Sequence, residues 1–151
     1  MASMIANNVS EIIVRDLQKL AAEVSAFKNQ ENLWKVEGSI LNSSGNLVLH
    51  LCGNLQHFIG AVLGNSGYIR NRDAEFAQKN ISREMLLKEI EVTVTAVKNG
   101  MSLLTDEELY KEYPLEKWNQ HSSKAFLLIH LTAHLNYHLG QINYLRRVLE
   151  K

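Results

Sequence analysis

The sequence contains one cysteine, Cys52, so no disulfide can form within the chain. A reduced, cytoplasmic setting is therefore expected. The N-terminal residues show no basic segment followed by an unbroken apolar one, which argues against a signal peptide. No apolar stretch approaches the roughly 20 residues that a membrane-spanning helix needs. These absences exclude secreted disulfide scaffolds and predict no contact with a membrane.

The chain also lacks a net charge. Its 16 Lys and Arg residues balance 16 Asp and Glu residues. A nucleic-acid-binding protein needs an excess of basic residues to displace counterions from phosphates. Nucleic acid is therefore not expected as a partner, and a charge near zero removes one barrier to self-association.

Proline is nearly absent as well, since Pro114 is the only one in 151 residues. Scarce proline and abundant Leu, Ala, Glu and Lys favour a helical protein. The length suits one domain, which we place over residues 1–151. A chain of this size can bury about 70% of its unfolded surface, so it can form a core without cross-links.

Apolar residues recur at three- and four-residue spacing in four long segments, the pattern of amphipathic helices. Thr105 and Glu108 form a capping box, which predicts a short helical turn before Pro114. Four such helices share a core most simply as a four-helix bundle. The predicted bounds are about 3–27, 43–64, 82–104 and 122 to nearly the C-terminus.

Five of the six histidines fall in the second and fourth predicted helices. His130, His134 and His138 are spaced by four residues and share one stripe that faces the core. Two such histidines can hold one metal ion, and the spacing permits either neighbouring pair. His50, in an apolar stretch of the second helix, can supply a third ligand. Three neutral ligands leave a position open, as in catalytic metal sites.

A second interpretation of the histidines needs no metal. Burying an imidazole without a partner costs about 1–3 kcal/mol, so each must be satisfied in some way. Hydrogen bonds among the histidines, or to Asn54, Gln56 or Gln141, would serve. The residues alone leave both interpretations open.

Three other residues of the second helix lie within two turns of His50. Asn54 follows His50 by one turn and can line a pocket beside it. His57 lies about 10 Å further along the axis, too far to share an ion, and a structural or pocket-rim position is expected. Cys52 lies about 200° around the helix and is interpreted as a small buried hydrophobe. Trp34, before this helix, is expected to pack over a bundle end.

The segment 68–76 places two arginines beside two acids. Such a segment commonly forms solvated ion pairs. The functional alternative is that Arg70 or Arg72 binds a carboxylate of a substrate or thiol cofactor. Glu75 can serve as a general base if it reaches the metal site.

Three stretches together resemble the DinB-like (YfiT-like) metalloprotein superfamily. They are NSSGNLVLHLCGNLQHFIG, YIRNRDAEF and HLTAHLNYHLGQINYLRR. The most telling pattern is His-x-x-x-His-x-Gly-Gln, formed by His134, His138, Gly140 and Gln141. The second is the histidine within the second helix, His50. The resemblance spans nearly the whole chain.

The resemblance implies an all-α four-helix bundle with up-up-down-down connectivity and a crossover. It implies zinc or nickel on His50, His134 and His138, with Gly140 allowing close backbone approach and Gln141 supporting a ligand. His130 would be either a supporting residue or core. Members often form homodimers, and characterised relatives include S-transferases that use low-molecular-weight thiols such as bacillithiol or mycothiol.

The expected function is therefore a metal-dependent enzyme acting on a small molecule. The metal would act as a Lewis acid and lower the pKa of water or a thiol. Thiol S-transfer and hydrolysis would use the same site. The alternative is a non-catalytic, metal- or ligand-binding stress-response dimer.

Overall fold

The computed structural model describes residues 3–115 and 121–151. Within these ranges the regular structure is helical, apart from an isolated bridge between Glu112 and Ser123. Four long helices are joined by shorter ones. The elements are α1 Met4–Ala26, a 3-10 turn Gln30–Trp34, α2 Ser44–Leu55, a π-helix Gln56–Ala61, α3 Arg72–Ala77, α4 Arg83–Met101, α5 Asp106–Tyr110 and α6 Lys124–Leu149.

Each long helix begins directly after a serine whose hydroxyl accepts a hydrogen bond from a backbone N–H in the first turn. These serines are Ser3, Ser43, Ser82 and Ser123. Caps of this kind stabilise a helix by about 1 kcal/mol each, and they fix where it starts. The predicted helix starts are confirmed to within about two residues, and Ser43 rather than Ser44 caps α2.

Helices α1 and α6 run parallel to each other. Asn136 donates a hydrogen bond to Asp16 at 3.0 Å, and Asn143 donates one to Glu23 at 2.6 Å. The two residues of each pair are 120 positions apart in the sequence. Residues further along α1 therefore pair with residues further along α6, so the two helices point in the same direction. Asp16 is fully buried within the apolar face of α1, a position that the hydrophobic pattern did not single out.

Helix α4 runs antiparallel to α1. The backbone N–H of Ser3, at the start of α1, donates to the carbonyl of Leu104, just after α4. At the other end, the guanidinium of Arg83, the first residue of α4, donates to the carbonyl of Phe27. The two helices therefore lie side by side with opposite ends together.

Helix α2 and its π-helical extension run parallel to α4. A Cβ on Gly60 would lie 3.1 Å from the Cβ of Ala96, and one on Gly64 would lie 3.0 Å from the Cα of Gly100. Residues further along one helix contact residues further along the other, so the two helices point in the same direction. Helix α2 is consequently antiparallel to α6.

The helix order is thus up-down-down-up, and the predicted up-up-down-down order is wrong. An apolar stripe shows which side of a helix faces the core, but it is the same for either direction of the chain. The crossover is present between α2 and α4, because a connection between parallel helices must return along their length. One hydrophobic core cluster takes residues from all four long helices.

The second helix reaches nearly as far as predicted, but its last part is wider than an α-helix. The N–H groups of Val62 and Gly64 bond to carbonyls five residues earlier, His57 and Ile59. Such segments are uncommon and mark local adjustments of a helix. Here Gly100 of α4 leaves room for it, since a Cβ there would lie 2.5 Å from the Ile59 carbonyl oxygen.

Trp34 covers the N-terminal turn of α2, where its ring packs against Gly45 and its indole N–H donates to the carbonyl of Ile81 at 3.1 Å. Within the described residues, no helix combines the length and apolarity needed to cross a membrane.

Candidate metal centre

The antiparallel pair α2 and α6 brings three histidines together. His50 lies in the middle of α2, and His134 and His138 lie one turn apart on the facing side of α6. The neighbouring apolar residues of the two helices, Leu47, Leu51, Leu135 and Leu139, are buried in the core. The site therefore rests on two rigid helices rather than on loops.

One ring nitrogen from each of His50, His134 and His138 lies within 4.8 Å of the other two. The Nε2 atoms of His50 and His134 are 3.2 Å apart. Two nitrogens that bind one tetrahedral ion at 2.0–2.1 Å must lie about 3.4 Å from each other. The three histidines are close enough to hold one metal ion.

Burial favours the ligand form of His138. His50 is buried, while His134 and His138 are half-buried, so the cluster is open on the α6 side. Burial lowers the pKa of His138 below its usual value, and the hydrogen bond with Gln141 only partly offsets this. A neutral imidazole, which metal binding requires, is therefore favoured at neutral pH.

Glu75, on the short helix α3, orients His50. Its Oε1 atom lies 3.1 Å from Nδ1 of His50. Arg70 donates to both carboxylate oxygens, from Nε and Nη2, at 2.9 Å each. Burial raises the pKa of Glu75, but hydrogen bonds from His50 and Arg70 outweigh it and hold the pKa below its ordinary value. An ionised Glu75 accepts the Nδ1 proton of His50 and leaves Nε2 as the ligand atom.

Gln141 supports His138 in the same manner. Its Oε1 atom lies 2.7 Å from Nδ1 of His138, one turn earlier on α6. An amide oxygen only accepts, so this contact places the proton on Nδ1. The lone pair of His138 Nε2 is then available to an ion.

The remaining predicted residues lie outside the three-histidine cluster. The ring of His130 stacks on that of His134 at 6.3 Å between centroids. Arg72 lies over the ring of Phe76 rather than at the histidines. Asn54 is buried one turn beyond His50. His57 packs against the ring of Phe58.

The sequence makes Glu75 a candidate general base. Both of its oxygens are engaged by Arg70 and His50, and its lowered pKa makes it a weaker base. These contacts favour a positioning role. They also engage Nε and Nη2 of Arg70 with the carboxylate of Glu75.

Gly140 does not provide the close backbone approach that was predicted. It is exposed, and a Cβ there would meet nothing within 4 Å. The close glycine is Gly53 on α2, where a Cβ would lie 2.7 Å from Cδ of Glu75. The sequence carried no signal for it, because the contact depends on where α3 packs.

Cys52 is buried, and loss of hydration raises its thiol pKa to about 12. A thiol in this state is neither a nucleophile nor a ligand at neutral pH. The interpretation of Cys52 as a small apolar residue agrees with its position in the core.

Comparison with known proteins gives a family but no activity. No curated protein matches the chain. The family described as "Protein of unknown function (DUF1572)" matches residues 5–151. Because this match covers nearly all of the sequence, the chain belongs to the DUF1572 family.

Proposed function

We propose that the protein binds a divalent metal, zinc or nickel, through His50, His134 and His138. In this proposal it is a DinB-like enzyme of the thiol S-transferase or hydrolase type. One observation carries the metal site. Glu75 and Gln141 each lie at Nδ1 of a different histidine, which leaves Nε2 of both as the candidate ligand atoms of a cluster whose ligand atoms lie within 4.8 Å of one another.

Imidazole lone pairs that point toward the same region repel one another unless a cation or a hydrogen-bond donor lies between them. Without an ion, the 3.2 Å contact between His50 and His134 can be one hydrogen bond, with His134 donating. That arrangement serves the lone pair of His50 but uses no nitrogen of His138, although one lies within 4.8 Å of the other two ligand atoms. An ion satisfies all three nitrogens at once, which favours the metal over the interpretation based on hydrogen bonds alone.

Nitrogen ligands and an open side suit a Lewis-acidic ion such as zinc or nickel, which would supply electrophilic activation of a thiol or water. The chain's own residues prepare the site for it. Arg70 and Glu75 hold the ring of His50, and Gln141 holds that of His138. The ring of Phe76, 4.8 Å from that of His50, covers the site on the α3 side.

A small molecule would approach from the α6 side, where His134 and His138 are half-buried. The low-molecular-weight thiol and the homodimer are further parts of the proposal, and both rest on the DinB-like resemblance.

Elemental analysis of protein purified without a nickel column tests the metal site. The variants His50→Ala and His138→Ala remove ligands, and His57→Ala and His130→Ala are matched controls on the same two helices. We expect one zinc or nickel ion per chain in the wild type and both controls, and none in the ligand variants. An absence of metal in the wild type, even after incubation with excess zinc or nickel, would overturn the proposal.

Catalysis is tested next by a turnover screen of the metal-loaded protein with thiols and electrophiles. Turnover that disappears in His138→Ala supports the enzyme. Metal binding without turnover across such a screen favours the non-catalytic binding protein instead.

A further inference from the structure

An apolar groove begins at the candidate metal site and follows α6 toward its C-terminal end. Its volume is about 560 Å³, within the range of small-molecule pockets, roughly 300–1,000 Å³. One wall is α6, the other is the loop at 40–42, and α2 contributes one residue. The main apolar residues are Ile40, Leu41, Leu47, Tyr144, Leu145 and Val148.

His138 belongs to both the groove and the histidine cluster. Its hydrogen-bond partner Gln141 also lines the groove. From His138 to Val148 the groove follows ten residues of helix, a distance of about 15 Å at 1.5 Å per residue. A ligand lying in it would have one end beside a candidate metal ligand and the other near the end of α6.

The groove lining is matched to an uncharged ligand body. None of the described residues that form it is Lys, Arg, Asp or Glu. Its side-chain nitrogens belong to His138 and Gln141 at the metal end and to Asn42 on the loop. A ligand with several charges would lose hydration here without gaining a counter-ion from the lining, and the nearby guanidinium of Arg147 already packs over the ring of Tyr144, 5.6 Å from its centroid.

The groove also presents apolar surface that a ligand can cover. The side chains of Leu41 and Tyr144 are 89% and 69% exposed. Covering such surface favours binding through the hydrophobic effect, and it does so in proportion to the apolar area removed from water. The favoured ligand therefore has an extended apolar body and a polar head at one end.

We propose that this groove binds the apolar body of the substrate, an alkyl or aryl group, with the reactive polar head beside His138. The position of the head rests on the proposed metal site, whereas the position of the body rests on the groove alone. In a thiol transfer, the groove would take the apolar electrophile, because an ionic thiol finds no counter-ion among the residues that line the groove.

Isothermal titration of the zinc-loaded protein with butyl, hexyl, octyl and decyl hydroxamates tests this inference. The hydroxamate head is a probe for zinc, and the alkyl chain is a probe for the groove. We expect affinity to rise about twofold to fourfold for each added methylene until the groove is filled. The heat-capacity change of binding should also become more negative as the alkyl chain lengthens.

Tyr144→Ala and Val148→Asp should weaken octyl binding several-fold while leaving butyl binding and zinc content unchanged. Tyr110→Ala, an exposed tyrosine on α5, is the matched control. Affinity independent of chain length in protein that does hold zinc would overturn the groove and leave the metal site standing.

The groove can still be tested if the metal site proves to be absent. If no zinc binds, chain-length dependence for the metal-free protein would still support the groove. If Tyr144→Ala changes the molecular mass in solution but not the affinity for the octyl probe, the groove is a contact between subunits and the inference is overturned.

Discussion

Gly53 on α2 lies directly beneath the carboxylate of Glu75 on α3. A Cβ at residue 53 would lie 2.7 Å from Cδ of Glu75, and closer still to Oε2. The carboxylate cannot easily move aside, since Arg70 and His50 hold both of its oxygens. A position without a side chain on one helix thus makes room for the group that orients His50.

Gly53→Ala should therefore disturb the metal site without touching a ligand. The added methyl group displaces Glu75, so zinc affinity should fall about 10- to 100-fold, and overpacking should cost about 1–3 kcal/mol of stability. Competition with a chelator and denaturant unfolding measure the two effects. In Gly140→Ala, where a Cβ is unobstructed, zinc affinity should be unchanged and stability should rise by up to about 1 kcal/mol. Wild-type zinc affinity in Gly53→Ala would contradict this role.

Glu75→Gln keeps the size of the side chain but removes the charge that holds the Nδ1 proton of His50. Partners of metal-bound histidines contribute about 10- to 100-fold to metal affinity, and a loss in this range is expected. The exposed Glu84→Gln on α4 is the control and should bind zinc as the wild type does. An equal effect in both variants would point to net charge instead of orientation.

Gln141→Leu removes the acceptor for His138 Nδ1–H. Since Gln141 is exposed, water can replace part of the contact, so zinc affinity should fall by about tenfold, the lower end of the usual range. Gln141→Glu retains an accepting oxygen and should restore or strengthen binding. Failure of the glutamate variant to recover the loss would exclude the hydrogen bond as the cause.

The buried Asp16 predicts how stability depends on pH. Burial raises its pKa, but hydrogen bonds from Arg15 and Asn136 and the nearby charges of Arg15 and Lys19 bring it below the ordinary value. A folded-state pKa below that of the unfolded chain stabilises the protein at higher pH, and the contribution disappears as pH falls below about 4.

Asp16→Asn should lower the free energy of unfolding by about 1–3 kcal/mol at neutral pH and by less near pH 3. Urea unfolding at several pH values measures this difference. The exposed Asp106→Asn is the control and should show little effect. A loss in Asp16→Asn that stays constant across this pH range would show that the charge of Asp16 is not the stabilising element.

The helix starts and the three histidines could be predicted because each depends on local spacing. A serine before an apolar period marks a cap, and histidines four residues apart must share a helix face. The direction of each helix could not be predicted, since the pattern of α2 or α4 reads the same whichever way the helix runs. Their order was accordingly wrong.

The surroundings of the histidines depended on tertiary packing. Glu75 meets His50 across 25 residues of chain, and nothing near either residue encodes that contact. The same holds for Gly53 and Gly140, two glycines near histidines whose surroundings are opposite. The Gln141 contact was easier to foresee, because it lies one turn from His138 on one helix.

The contact between His50 and His134 closes a loop of 84 residues. Closing so long a loop costs chain entropy, and the contact forms only when α2 and α6 have docked. A chain that had folded α2, α3 and α4 alone would hold His50 and Glu75 but neither histidine of α6. Tight metal binding would thus be a property of the completely folded protein. An ion bound only in that state would raise the melting temperature as metal concentration rises, and it would stabilise the docking of α6 on α2 reversibly.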